Sequence, residues 1–221
     1  MDGVLDQVDA RTKLIFVCSP NNPTGNLLDQ NLIVDLARSF DGLLVVDEAY
    51  IQFSDSPSLI KRLNALPNLV VLQTFSKAWG LAGLRLGVSF SSSEVHGILS
   101  RIKAPYNIGT PAQHEVLAAI ANVESMRMNV AALRSERAGL KPALEGFSFV
   151  EKVYPSEGNF VLVRMHDARA VYQHLLSTGI VVRDRSGISG CENCLRITIG
   201  TADENALLLK ELRTYEEGFV H

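Results

Sequence analysis

Apolar positions in this chain fall first into short unbroken runs and later into alternating and helical patterns. The run KLIFVCS (Lys13 to Ser19) is continuous and closed by the turn cluster PNNPTG, which predicts a strand buried on both faces. Over Asp29 to Phe40 the apolar residues Leu32, Ile33, Leu36 and Ala37 recur at helical spacing. A second run, LLVVDEAY, begins at Leu43, and PSLIKRLNAL (Pro57 to Leu66) reads as helical. Further strands are predicted at NLVVLQTF (Asn68 to Phe75) and LRLGVSF (Leu84 to Phe90). Strands alternating with helices imply a parallel sheet with crossovers. The connection to the last strand is too short for a helical crossover, which predicts an antiparallel or irregular placement.

From Pro111 to about Leu144 the pattern is one long Ala-rich helical stretch, with a bend expected near Gly139 and Pro142. A new pattern follows. FSFVEKVYPS and NFVLVRM read as strands, then DARAVYQHLLSTG as a helix with Asp167 as N-cap and Gly179 as its stop. IVVRDRS and LRITIG read as two more strands, and Thr201 and Glu204 have capping-box spacing at the start of a last helix. The organisation predicted is an α/β unit over 1–110, a connecting helical region over 111–145 and a small α+β unit over 146–221.

Composition narrows the class. The 221 residues are 47% hydrophobic and 20% charged, enough for a sizeable core. A net charge of −3 gives no electrostatic case for nucleic acid. No stretch reaches the roughly eighteen consecutive apolar residues of a membrane span. The acidic start MDGVLDQVDA has no signal-peptide pattern. Three cysteines are too few for a disulfide framework and fit a reducing compartment, so a cytoplasmic protein is expected. Cys191 and Cys194 form a lone C-x-x-C without a second ligand pair and run into a strand rather than opening a helix, so no metal role is assigned to them.

In open α/β sheets, ligands sit beyond the carboxyl ends of the strands. Here those ends carry Asn21 and Asn22, then Asp47 and Tyr50, then Thr74, Ser76 and Lys77. Asp47, directly behind two valines, needs a cationic or hydrogen-bonding partner unless it is simply a cap or a surface acid. Lys77, at a semi-buried strand end, is a candidate nucleophilic amine, its bland reading being a solvated loop lysine. Arg85 with Thr74 and Ser76 is a candidate anion clamp, or an ordinary ion pair. Pyridoxal phosphate asks for all of these groups together: an amine for its aldehyde, a carboxylate for its ring nitrogen, donors for its phenolic oxygen and a clamp for its phosphate.

SPNNPTG, VVDEAY and SKAWGLAGLRLG, in that order, resemble the signatures of the fold-type I, PLP-dependent aminotransferases. APYNIGTP and GIVVRDRS…CLRITIGT are similar to the histidinol-phosphate aminotransferase branch of that family. The resemblance runs from about Lys13 to the last helix. It implies the family's α/β fold with a small α+β C-terminal domain, residues 1–110 being part of the large PLP-binding domain. By the same resemblance Lys77 would hold the cofactor and move the substrate proton, Asp47 would keep the pyridine nitrogen protonated, and Asn22 and Tyr50 would hydrogen-bond the phenolic oxygen. Thr74, Ser76 and Arg85 would bind the cofactor phosphate, Arg196 a substrate carboxylate, and Arg183 the phosphate of histidinol phosphate, with Asn159 near the substrate.

The activity implied is transfer of an amino group from histidinol phosphate to 2-oxoglutarate, giving imidazole acetol phosphate and glutamate, in a homodimer that binds small molecules, not nucleic acid or membrane. An aromatic or broad-range aminotransferase and an amino-acid-phosphate decarboxylase share the motifs. A non-catalytic fragment of the PLP fold or a ligand-sensing module is the reading from another class. The family pattern carries a substantial N-terminal part ahead of the PNNPTG strand, which residues 1–12 do not supply. A shortened chain with uncovered strand edges is therefore expected, and its own activity is a point to test. The five histidines, His96, His114, His166, His174 and His221, match no catalytic position and are expected at the surface.

Overall fold

A computed structural model describes residues 2–219 and resolves them into two units, one built from the stretch up to Pro20 with Leu27–Met128, the other from Asn21–Asn26 with the stretch from Asn129 onward. His221 lies outside the described residues.

The first unit opens with a short helix α1 (Asp2–Leu5) and holds a four-stranded sheet of β1 (Leu14–Cys18), β2 (Leu43–Asp47), β3 (Leu69–Thr74) and β4 (Gly87–Phe90), in that spatial order. β1, β2 and β3 are parallel, and β4 returns antiparallel to β3, one of the two placements its short connection allows. The crossover helix α2 (Gln30–Ser39) starts where Asp29 accepts the Asn31 N–H at 2.8 Å, a side-chain cap on an otherwise orphaned donor. Ile33, Leu36 and Ala37 of α2 pack on Leu44 and Val46 of β2 and Leu69 and Val71 of β3.

Several expectations change. β1 is not buried on both faces: it is an edge strand, with Leu14 49% and Phe16 67% exposed. The stretch after Pro57 is a 3-10 helix, Leu59–Ala65, rather than an α-helix. β4 starts only at Gly87, because Ala82–Leu84 forms a 3-10 turn that ends on Arg85 in the left-handed region (φ 54). Helix α3 (Ser93–Ile102) was not anticipated, although Ser92 caps it and Val95, Ile98, Leu99 and Ile102 have helical spacing. The long helical stretch is two helices, α4 (Thr110–Ala121) and α5 (Val123–Glu145), bent by 73° where Asn122 leaves helical backbone angles, while α5 continues through Gly139 and Pro142. No single helix among the described residues is long and apolar enough to cross a membrane, though α4 and α5 together, across their bend, meet that criterion by length and composition.

The second unit is an antiparallel sheet, β5 (Val150–Val153), β6 (Phe160–Met165), β7 (Arg183–Asp184) and β8 (Cys194–Thr198), in the order β5-β6-β8-β7, with helices α6 (Ala168–Ser177) and α7 (Ala202–Phe219). Asp167 caps α6 by accepting the Ala170 N–H at 2.9 Å, and Gly179 (φ +84) follows its end in a conformation that favours glycine. The predicted capping box is present: Thr201 N–H donates to Glu204 at 2.8 Å, and the Glu204 N–H to the Thr201 hydroxyl at 3.3 Å. Strand alternation sends Val161, Val163, Met165, Leu195 and Ile197 into one core with Val171, Leu175 and Leu212 of the helices.

Candidate functional site

In the first unit, register fixes where the polar strand ends fall. Cys18 pairs with Asp47 and Asp47 with Leu72, while β3 runs two residues further to Thr74. Asp47 is half-buried, and its Oδ1 accepts the Ala49 N–H at 2.9 Å. Partial burial, then the Asp47 charge, pushes the Cys18 thiol above its ordinary value. Three residues on, Tyr50 is buried, and Lys77 Nζ stands 5.4 Å from the centroid of its ring. Lys77 itself is exposed, which corrects the semi-buried strand end expected for it: the residue lies beyond β3 in a turn closed by Gly80 N–H to Lys77 O at 3.0 Å. Gly80 has φ +70 there, so a side chain at that position would be strained.

Thr74 and Ser76 are drawn together, the Ser76 N–H donating to the Thr74 hydroxyl at 3.0 Å. Arg85 does not join them through any hydrogen bond among the described residues. Its guanidinium donates to the Ala82 carbonyl of its own turn at 2.9 Å, because the left-handed backbone at Arg85 curls the chain back on that turn.

In the second unit, Arg196 of β8 is the centre of a cluster. Its Nη1 donates to Asn22 Oδ1 at 2.6 Å, and its guanidinium carbon lies 5.1 Å from the centroid of the Phe160 ring. Asn22 thus uses its side-chain oxygen on an arginine, which leaves its amide N–H groups to donate elsewhere. Arg183 of β7 is the direct register partner of Arg196. Directly opposed like charges on a sheet repel one another. Asn159 precedes β6, half-buried, and its carbonyl accepts the Ile199 N–H at 2.9 Å. Cys191 and Cys194 are buried against Leu162 and Tyr154.

Two residues escaped the sequence reading. Glu48 is 1% exposed and accepts from the Ser58 hydroxyl at 2.5 Å, the Leu59 N–H at 2.8 Å and Gln73 Nε2 at 2.9 Å, fixing the start of the 3-10 helix behind the Asp47 strand end. The period-2 alternation of a strand was the available signal: in a D-E pair at a strand end, the two carboxylates leave on opposite faces. Arg137 of α5 donates to the Gly158 carbonyl at 2.6 Å and holds Glu157 Oε2 at 3.6 Å, bracing the turn that leads to Asn159. Nothing in its helical surroundings marks it in the sequence.

A family model described as aminotransferase class I and II matches residues 1–212. A histidinol-phosphate aminotransferase of Flavobacterium johnsoniae is 45% identical over 213 residues, covering 96% of this chain and 61% of the relative. The chain thus spans about three-fifths of the length of the curated relatives it matches. Among solved structures, the histidinol-phosphate aminotransferase from Clostridium acetobutylicum superposes with a TM-score of 0.89 at 22% identity, covering 98% of this chain and 66% of that one, a likeness of fold. The histidinol-phosphate aminotransferase from Sinorhizobium meliloti, solved in complex with pyridoxal-5'-phosphate, has a TM-score of 0.82 at 27% identity, with 91% and 58% covered.

Proposed function

This chain belongs to the aminotransferase class I and II family, and on that premise we propose that it serves a PLP-dependent transfer of the amino group of histidinol phosphate to 2-oxoglutarate. The observation that carries the reading is the meeting of Lys77 and Tyr50, 5.4 Å from ammonium to ring centroid, beyond strands of which the middle one ends in Asp47. An amine, a phenol and a carboxylate are the donor set that pyridoxal phosphate requires, so the residues present fit the group. When bound, that cofactor supplies a sink for the electrons left on the substrate's α-carbon.

The protein's own part is to hold and to move protons. Lys77 Nζ would hold the cofactor covalently and would be the base for the proton of the α-carbon. Asp47, whose Oδ1 accepts the Ala49 N–H, would keep a proton on the ring nitrogen through its carboxylate. Tyr50 and the amide of Asn22 would donate to the phenolic oxygen, and Thr74, Ser76 and, once turned from the Ala82 carbonyl, Arg85 would receive the cofactor phosphate. The facing arginines support the substrate side: Arg196 takes a carboxylate in its bidentate fork and Arg183 the phosphate of histidinol phosphate, near Asn159. The reading includes a cytoplasmic homodimer.

Turnover of histidinol phosphate and of phenylalanine, measured side by side with 2-oxoglutarate as acceptor, tests the substrate. A preference of at least about a hundredfold for the phosphate ester is expected, the value of losing one desolvated charge pair. Comparable rates on both would remove the assignment.

A further inference from the structure

The outward face of the second unit's sheet carries an ordered array of cations. Val161, Val163, Leu195 and Ile197 turn into the core, so their strand neighbours Leu162, Arg164, Cys194 and Arg196 occupy the other face. Register then sets two rows across it. One row holds Lys152, Arg164 and Cys194, and the Arg185 N–H donates to the Cys194 carbonyl at 2.9 Å, which places Arg185 at its end. The adjacent row holds Leu162, Arg196 and Arg183. Arg185 therefore stands beside Arg183, two residues on, just past the end of β7 and on the same face.

These cations are not equivalent. Arg164 has company: Gly190 O at 3.3 Å and Glu192 Oε2 at 3.9 Å. Arg196 has Asn22. Arg183 and Arg185 make no ion pair within 4.0 Å among the described residues. Asp184, between them in sequence, accepts the Ser186 N–H at 2.8 Å instead. Arg185 differs from Arg183 in one further respect. It is half-buried, and its Nε, like those of Arg164 and Arg196, is shielded from solvent without a hydrogen-bond partner. A buried donor of a charged group left unmade is costly, so an acceptor is called for at that edge of the guanidinium.

The geometry points to Arg185 as a specificity-determining residue: with Arg183 and Arg196 it forms a three-guanidinium site that prefers a doubly charged phosphate to carboxylates. This rests on the proposed function and names the group that sets its substrate class. Two guanidinium groups satisfy a carboxylate, whereas a phosphate offers three acceptor oxygens and up to two charges, which a third guanidinium can complete. The family's motifs, as quoted from this sequence, assign Arg185 no such part.

Isothermal titration of the chain with inorganic phosphate and, separately, with glutarate tests the inference on wild type, Arg185→Gln and Arg185→Lys. Arg185→Gln is expected to weaken phosphate binding about tenfold or more, the value of one charge-assisted hydrogen bond, while glutarate affinity stays within about twofold. Arg185→Lys, which keeps the charge and loses the fork, is expected to fall between. Unchanged phosphate affinity in Arg185→Gln, an equal loss for both ligands, or no phosphate binding by the wild type would each overturn the inference. A parallel absorbance scan with added PLP keeps the two readings apart. An imine band in a chain that fails the phosphate test removes Arg185's part alone, and absence of the band removes the proposed function itself.

Discussion

The two sheets of this molecule use the same raw material differently. In the second unit, Val163, Met165 and Leu195 are wholly buried between the sheet and helices α6 and α7. In the first unit, β1 is equally apolar in sequence, yet its Leu14 and Phe16 face solvent. The chemistry divides in the same way. Arg183 and Arg196 are fixed by strand register, whereas Lys77 and Arg85 ride on turns beyond the strands. Register sets a residue to within a strand spacing, but a turn leaves its side chain to be fixed by whatever it touches, here the ring of Tyr50 for Lys77.

Substitutions can press on that contrast. Leu195→Ala, in the closed core, is expected to cost about 2–5 kcal/mol in denaturant unfolding, by lost transfer energy and a residual cavity. The matching change on the open sheet, Phe16→Ala, should stay within roughly 0.5 kcal/mol, and a loss comparable to that of Leu195→Ala would mean that β1 is covered in solution. Glu48→Ala strands the donors of Ser58, Leu59 and Gln73 behind the Asp47 strand end and should cost about 1–3 kcal/mol, read as a lower melting temperature. Asp167→Ala removes the α6 cap in the second unit, for a loss of about 1 kcal/mol in the same assay.

The smallest effect is one of pH. Contact with Ser186, whose backbone N–H donates at 2.8 Å, holds the Asp184 carboxyl below its ordinary value of 3.8, with help from the charges of Arg169 and Arg185. A depressed folded-state pKa contributes stability that is fully present above 3.8 and is lost as pH falls through the lower folded value. Acid unfolding of Asp184→Asn should therefore show a shallower fall in stability below that pH than wild type. An identical slope would mean that the carboxylate gains nothing on folding.

Much of this was legible in the chain. The turn and cap residues Asp167, Gly179, Thr201 and Glu204 declare their elements because each solves a local problem of backbone donors or backbone angle. The short connection to β4 narrowed that strand to an antiparallel or irregular placement, and the first is found. What could not be read depends on neighbours distant in sequence. A continuous apolar run does not say whether a sheet edge is covered, so β1 was misjudged. Helical spacing does not separate a 3-10 from an α-helix over seven residues, and the break at Asn122 competes poorly, as a signal, with Gly139 and Pro142. For the site, the residue types at the strand ends were plain, but the exposure of Lys77, the turning of Arg85 onto Ala82 and the use of Asn22 by Arg196 are tertiary facts. The acid that proved structural, Glu48, lay one residue from the one singled out.

The most direct test of the account is the absorbance spectrum of the purified chain after addition of pyridoxal phosphate. The account predicts an imine band that survives gel filtration, is removed by borohydride reduction and is absent in Lys77→Ala. A band of equal strength in Lys77→Ala, placing the linkage on another amine, would contradict it.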